Sequence, residues 1–167
     1  MTAPLPAYVG MGSNLGDRAG NLLLALGGMT RAGLSVARLS SVYETEPDGV
    51  PEEQPPFLNM VAELRGPLPP PETLLRLLLD IERSLGRIRP RPLAPRTLDL
   101  DLLLYGGALS ATAALTLPHP RLHLRRFVLA PLAELIPTSQ HPTLGATFAD
   151  LLAATPDRPS VRPWEPR

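Results

Sequence analysis

Leu98-Asp99-Leu100-Asp101-Leu102 alternates apolar and acidic residues without a break. A β-strand, whose side chains leave by opposite faces at each step, sends the three leucines into a core and both aspartates out of the other face. The chain is therefore expected to build a sheet around this strand. On it the two carboxylates stand about 6 to 7 Å apart. Such a pair can share one or two hard divalent cations, and Mg²⁺ favours one or two carboxylates completed by waters and substrate phosphates. An ordinary solvent-facing strand edge would carry the same residues. With 16 acidic residues in 167, roughly one or two acid-x-acid triplets arise by chance, so the motif needs company before it means chemistry.

The rest of the chain supplies the partners of that strand. Ala7 to Met11 reads as a first strand, breaking into the turn Gly12-Ser13-Asn14-Leu15-Gly16. Asp17 then opens a helix whose apolar side is Leu22, Leu23, Leu26 and Met29. Leu34 to Tyr43 is expected as a second strand and Phe57 to Leu64 as a third, joined by an acidic, proline-rich loop of a length more often functional than idle. Pro69-Pro70-Pro71 introduces an apolar helix over Glu72 to Leu85, because proline is tolerated in a first turn and not beyond it. Gly86 stops that helix. Leu98 to Tyr105 follows as the fourth strand, and further helices are expected over Phe127 to Leu135 and Thr147 to Ala154. The core order of strand, helix, strand, strand, helix, strand predicts an α+β, ferredoxin-like βαββαβ arrangement, an antiparallel sheet with helices on one face. The expectation is one domain over residues 1–167, with its core at about 7–154. The proline-rich tail 155–167 is expected to pack loosely or not at all.

Composition removes several classes of function. All 16 basic residues are arginine. Schiff-base enzymes and Walker-type phosphate loops both need a lysine, so neither chemistry is available. The absence of cysteine excludes disulfides, thiolate metal sites and a cysteine nucleophile. A formal net charge of zero argues against a general nucleic-acid coat, so any anion site must be local. The Met1 region lacks the succession of a signal peptide, and no apolar run reaches the length of a membrane span. The expectation is a cytoplasmic protein without membrane or nucleic-acid partners.

A local cation cluster is present. Arg87, Arg89, Arg91 and Arg96 precede the aspartates within a dozen residues, three prolines among them, on a segment that cannot be regular structure. Guanidinium forks fit phosphate oxygens two at a time. Arginines beside a carboxylate pair describe a nucleotide-triphosphate site, and a solvated basic loop at a helix end is the plainer alternative. Glu82 projects from the apolar side of its helix, either paired structurally or belonging to a site. Phe57 and Asn59 share a strand face, which suits a flat heterocycle stacked and read along its edge, although aromatics are far more often packing. His119, between two prolines, is equally open.

Taken together these segments resemble the 6-hydroxymethyl-7,8-dihydropterin pyrophosphokinase family. The resemblance rests on four blocks in order across about residues 7–136: Gly12-Ser13-Asn14-Leu15-Gly16-Asp17-Arg18; Tyr43-Glu44-Thr45-Glu46-Pro47 with Gln54-Pro55-Pro56-Phe57-Leu58-Asn59; Pro95-Arg96-Thr97-Leu98-Asp99-Leu100-Asp101; and Pro118-His119-Pro120-Arg121 through Arg125-Arg126-Phe127-Val128-Leu129. The resemblance implies a ferredoxin-like fold. It also implies transfer of diphosphate from ATP to the pterin hydroxymethyl oxygen, with two Mg²⁺ ions on Asp99 and Asp101. Arg87, Arg96, His119 and Arg125 would contact or neutralise the triphosphate, with Arg87 and Arg96 catalytic, Arg89 assisting and Glu82 on an active-site position. Leu102 and Thr116 would lie beside the adenosine. Phe57 and Phe127 would sandwich the pterin, and Asn59 and the backbone around Thr45 would read its polar edge. The implied protein is a monomer acting on small molecules.

Two departures accompany the resemblance. The stretch between Arg89 and Pro95 is one residue short, and Leu93 stands where an aromatic is usual, so the lid over ATP is expected to close differently. Pro120 replaces a tyrosine found in some members. A polymerase-palm nucleotidyltransferase also pairs aspartates on a strand, but it places Gly-Ser about ten residues before them, whereas Gly12-Ser13 lies far upstream. An RNA-binding sheet platform shares the element order, yet it needs exposed aromatics where this chain has Asp99 and Asp101.

Overall fold

The structure is a computed structural model that describes residues 5–47, 49–50, 53–86 and 94–166. In chain order the elements are β1 (Ala7–Ser13), α1 (Arg18–Arg31), β2 (Ser35–Leu39), β3 (Tyr43–Thr45), β4 (Phe57–Arg65), α2 (Pro71–Ser84), β5 (Asp99–Tyr105), β6 (Ser110–Ala111) and β7 (Thr116–Leu117). A short 3₁₀ turn (Leu122–Leu124), α3 (Arg126–Leu135), α4 (Phe148–Ala154) and β8 (Val161–Pro163) complete the chain. The main sheet runs β5-β1-β4-β3-β8, with β2 also paired to β4. Its pairings are antiparallel.

Local chemistry explains where the elements begin. The Asp17 side chain caps α1 by accepting from the Gly20 N–H at 3.0 Å. Pro71 occupies the first turn of α2, where its missing N–H costs nothing. The second predicted strand is interrupted at Ser40. Its hydroxyl accepts from the Val61 N–H at 2.8 Å while its own N–H donates to the Val61 carbonyl at 2.9 Å. A side-chain oxygen has replaced a backbone rung, and the ladder breaks into β2 and β3.

Alternation along the strands divides the interior. Val9, Met11, Leu58, Ala62, Leu100 and Leu102 face α1 and α2, burying Leu22, Met29, Leu74 and Leu78 between them. These are the two helices of the βαββαβ core, and they share one face as expected. Tyr8, Val61, Leu103 and Leu104 turn the other way, onto Leu122, Leu129 and Leu132 of the 3₁₀ turn and α3 and onto Phe148 of α4. A register shift between Tyr8 and Val9 makes Leu103 the extra residue of a bulge, which sends both Leu103 and Leu104 into this second core.

The tail departs from expectation. Rather than packing loosely, residues 161–163 pair with β3, the Trp164 N–H donates to the Val42 carbonyl at 2.9 Å, and the Trp164 ring packs against the first core. Pro163 is compatible with this because β8 is the outermost strand, with one edge free of ladder bonds.

Candidate active site

The second face of the sheet is only half covered. Where α3 ends its cover, β5, β1, β4 and β3 present Asp99 and Asp101, Gly10 and Gly12, Asn59 and Phe57, and Thr45 to a cleft of about 510 Å³. Arg121, Arg125 and Phe127 form the opposite wall, and Arg96 closes one end. The floor is open because β1 has no side chains there. At position 12 a Cβ would come within 2.9 Å of the Asn59 Oδ1, so a larger residue there would have to displace that side chain.

The alternation places both aspartates in this cleft, half-buried. The Arg96 guanidinium donates to Asp99 Oδ2 at 2.8 Å and lies 5.5 Å from the centre of the Phe57 ring. One arginine therefore touches both the carboxylate side and the aromatic side of the cleft. Arg125 repeats the arrangement across the gap, 5.5 Å from the centre of the Phe127 ring. Burial lowers the Arg125 guanidinium from its ordinary value, and the charge of Asp101 opposes that shift. Thr45 and Asn59 are brought together, the Asn59 amide donating to the Thr45 hydroxyl at 3.0 Å, with both residues buried.

Glu82 is buried at 2 % exposure, and its Oε1 accepts from the Leu100 N–H at 2.6 Å. It lines the base of β5 rather than the cleft, and it holds the peptide between the two aspartates. His119 is largely buried. Burial first, and then the charges of Arg125 and Arg121, push its imidazole down to about 4 against a smaller opposing effect of Asp99. Its Nδ1 accepts from the Arg121 N–H at 3.2 Å, which makes Nε2–H the free donor of a neutral ring. His119 is therefore set up to give a hydrogen bond rather than a charge.

Four predicted residues do not line the cleft: Glu82, His119, Leu102 and Thr116. The Leu102 side chain belongs to the closed core at 3 % exposure, and Thr116 lies on the small β6–β7 hairpin. Any contact of Leu102 with an adenosine would come from its backbone, which, two residues on from Leu100, also turns away from β1. Arg87, Arg89, Arg91 and Leu93 lie outside the described residues. Sequence reasoning gave no role to Arg121, Arg126 and Arg158, which line the cleft, or to Asn14, which lies beneath it. Arg121 and Arg126 sat inside a recognised motif, but Arg158 carried no signal.

A carboxylate pair with guanidinium groups and aromatic rings gathered in one cleft can hold a phosphorylated substrate beside a flat one. Among the described residues no group of three or more histidine, cysteine or carboxylate side chains gathers. The donor set thus suits a hard cation that takes one or two carboxylates and shares its shell with phosphate oxygens. Fold and cleft together are the setting of a small α+β transferase of phosphoryl groups.

Comparison with known proteins makes the class particular. Residues 8–137 match the family model of 7,8-dihydro-6-hydroxymethylpterin-pyrophosphokinase (HPPK). The chain is similar to the 2-amino-4-hydroxy-6-hydroxymethyldihydropteridine pyrophosphokinase of Synechocystis sp., 45% identical over 147 residues, covering 87% of this chain and 74% of that one. It is 43% identical over 160 residues to the protein of that name from Bacillus subtilis, covering 95% and 90%. Among solved structures it resembles wild-type HPPK-DHPS of Plasmodium falciparum, with a TM-score of 0.70 at 14% identity. That match covers 90% of this chain and 44% of the other, a likeness of fold. The chain belongs to the 7,8-dihydro-6-hydroxymethylpterin-pyrophosphokinase family.

Proposed function

We propose that this protein transfers diphosphate from ATP to the hydroxymethyl oxygen of 6-hydroxymethyl-7,8-dihydropterin, releasing AMP, as a step of folate biosynthesis. Beyond family membership, the observation that carries the reading is one cleft of about 510 Å³ holding Asp99, Asp101, Arg96 and Arg125 together with Phe57, Phe127, Asn59 and Thr45.

The residues divide the work by chemistry. Phe57 and Phe127 stack the pterin, and Asn59, fixed by Thr45, reads its polar edge. Asp99 and Asp101 hold two Mg²⁺ ions, which when bound offset the negative charge of the triphosphate oxygens. Arg96 and Arg125 take phosphate oxygens, and the neutral His119 donates its Nε2–H to another. Arg87 and Arg89 add cations from the neighbouring segment. The substrate hydroxyl attacks the β-phosphorus and loses its proton to water, its oxygen forms the new P–O bond, and the bond from the β-phosphorus to the oxygen it shares with the α-phosphate breaks to leave AMP. Positioning and fixed charge carry most of the barrier, because phosphoryl transfer asks little covalent chemistry of the protein.

The reading includes a monomer acting in the cytoplasm on small molecules, without nucleic acid. No helix among the described residues is long and apolar enough to cross a membrane. The test is release of AMP from ATP. It should require both Mg²⁺ and hydroxymethyl-dihydropterin, and AMP release independent of the pterin would refute the proposal.

A further inference from the structure

The first motif of the chain, Gly12 to Arg18, supplies no group to the proposed reaction, yet it lies at the junction of the two halves of the cleft. Asn14 is fully buried. Its Oδ1 accepts from the Arg96 N–H at 2.9 Å and its own N–H donates to the Arg96 carbonyl at 3.1 Å. Its Nδ2 donates to Gln54 Oε1 at 3.0 Å and to the Pro55 carbonyl at 3.2 Å. The orientation of the amide is dictated by its partners, since a backbone N–H can only donate and the Pro55 carbonyl can only accept. Every polar group of the side chain is used.

The two arms reach opposite sides of the site. One fixes the backbone of Arg96, whose guanidinium holds Asp99. The other fixes the backbone two residues before Phe57. Arg18 reinforces this second arm by donating to the Pro56 carbonyl and to Glu44, both at 2.8 Å. The hub itself is pinned to α1, where the Asn21 amide donates to the Leu15 carbonyl at 2.9 Å and to the Ser13 hydroxyl at 3.2 Å. Arg96 lies over the Phe57 ring, so a displacement of either segment changes the other side of the cleft.

We infer that Asn14 is a positioning residue that holds the phosphate-side Arg96 and the ring-side Phe57 in a single register, and thereby makes binding of the pterin and of ATP interdependent. The inference rests on the pyrophosphokinase reading. Asn14→Asp keeps the acceptor for the Arg96 N–H and replaces the donor to Gln54 and Pro55, whereas Asn14→Ala removes the side-chain bonds of both arms and keeps only the backbone N–H to the Arg96 carbonyl.

Binding titrations of the full chain with Mg²⁺, α,β-methylene-ATP and 6-hydroxymethylpterin measure the coupling. In the wild type, saturating nucleotide analogue should tighten pterin binding about fivefold or more, and Asn14→Ala should bring this ratio to within about twofold of unity. Asn14→Asp should weaken pterin binding about fivefold or more and leave analogue binding within about twofold. A variant with the wild-type melting temperature and the wild-type ratio would overturn the inference. Amide exchange in the free protein supplies a second arm. Exchange at the Arg96 N–H should rise about tenfold or more in Asn14→Ala and stay near wild type in Asn14→Asp. Equal protection in Asn14→Ala would also overturn the inference. A wild type that binds no pterin refutes the functional reading, and the exchange result still decides the joint.

Discussion

The two faces of the sheet are built from the same strands and end in opposite conditions. On the face toward α1 and α2, Val9, Met11, Leu58, Leu100 and Leu102 meet two amphipathic helices and are buried. On the other face, Tyr8, Val61 and Leu103 are sealed under α3, whereas Gly10, Gly12, Asn59, Asp99 and Asp101 line the cleft. The difference is set residue by residue. Leucines at 98, 100 and 102 demand a partner layer, and glycines and acids on the reverse of the same strands deny one. One face is therefore wholly given to the core, and the cleft on the other is where the proposed chemistry is placed.

The comparison breaks most sharply at the aspartates. Asp99→Ala or Asp101→Ala should lower turnover by on the order of a thousandfold, since losing a cation site removes several kcal/mol of charge stabilisation. Thermal melting should change little, because neither carboxylate fills a core. Near-normal AMP release by either variant would contradict the metal assignment. On the closed face the opposite holds. Leu78→Ala, at a position with no exposure, should cost about 2–5 kcal/mol of stability in denaturant titration. The activity of the remaining folded protein should be unchanged.

A smaller effect separates the two ends of the cleft. Phe57→Ala should weaken pterin binding by about 1–3 kcal/mol, the usual worth of an aromatic stack on a heterocycle, with ATP analogue binding within about twofold. Equal loss of both ligands would argue against the sandwich.

The smallest effects are in pH. His119 is held at about 4 against an ordinary 6.5, so the unfolded chain takes up its proton first. Stability is unaffected by this group above 6.5 and declines as pH falls from there toward 4. At the sealed end, burial would raise the Glu63 carboxyl, but hydrogen bonds from Arg38, Arg65 and Tyr8 outweigh it and hold the group at about 2. Its stabilisation is complete above the ordinary 4.5 and is lost as pH falls toward 2. Unfolding measured against pH should therefore lose its upper limb in His119→Gln and its lower limb in Glu63→Gln. Loss of the same limb in both variants would contradict the assignment.

Much of this division could be read from the sequence, because it follows from strand alternation. The pattern around Asp99 and Asp101 placed the leucines inward and the acids outward, and proline and glycine bracketed α2 correctly. What escaped depends on contacts distant in sequence. The break at Ser40 is made by Val61, and Asn14 acquires its role only where residues 54–55 and 96 converge on it. The tail strand was missed because its prolines read as coil, and nothing local revealed that they would sit on an outer edge. The resemblance placed Leu102 beside the nucleotide, whereas alternation had already directed its side chain to the core.

The central claim is that a flat ring and a triphosphate meet in one cleft, with attack at the β-phosphorus. Phosphorus-31 NMR of a reaction with ATP, Mg²⁺ and 6-hydroxymethyl-7,8-dihydropterin tests this most directly. The account predicts AMP and the pterin diphosphate in equal amounts. ADP with a pterin monophosphate would contradict it.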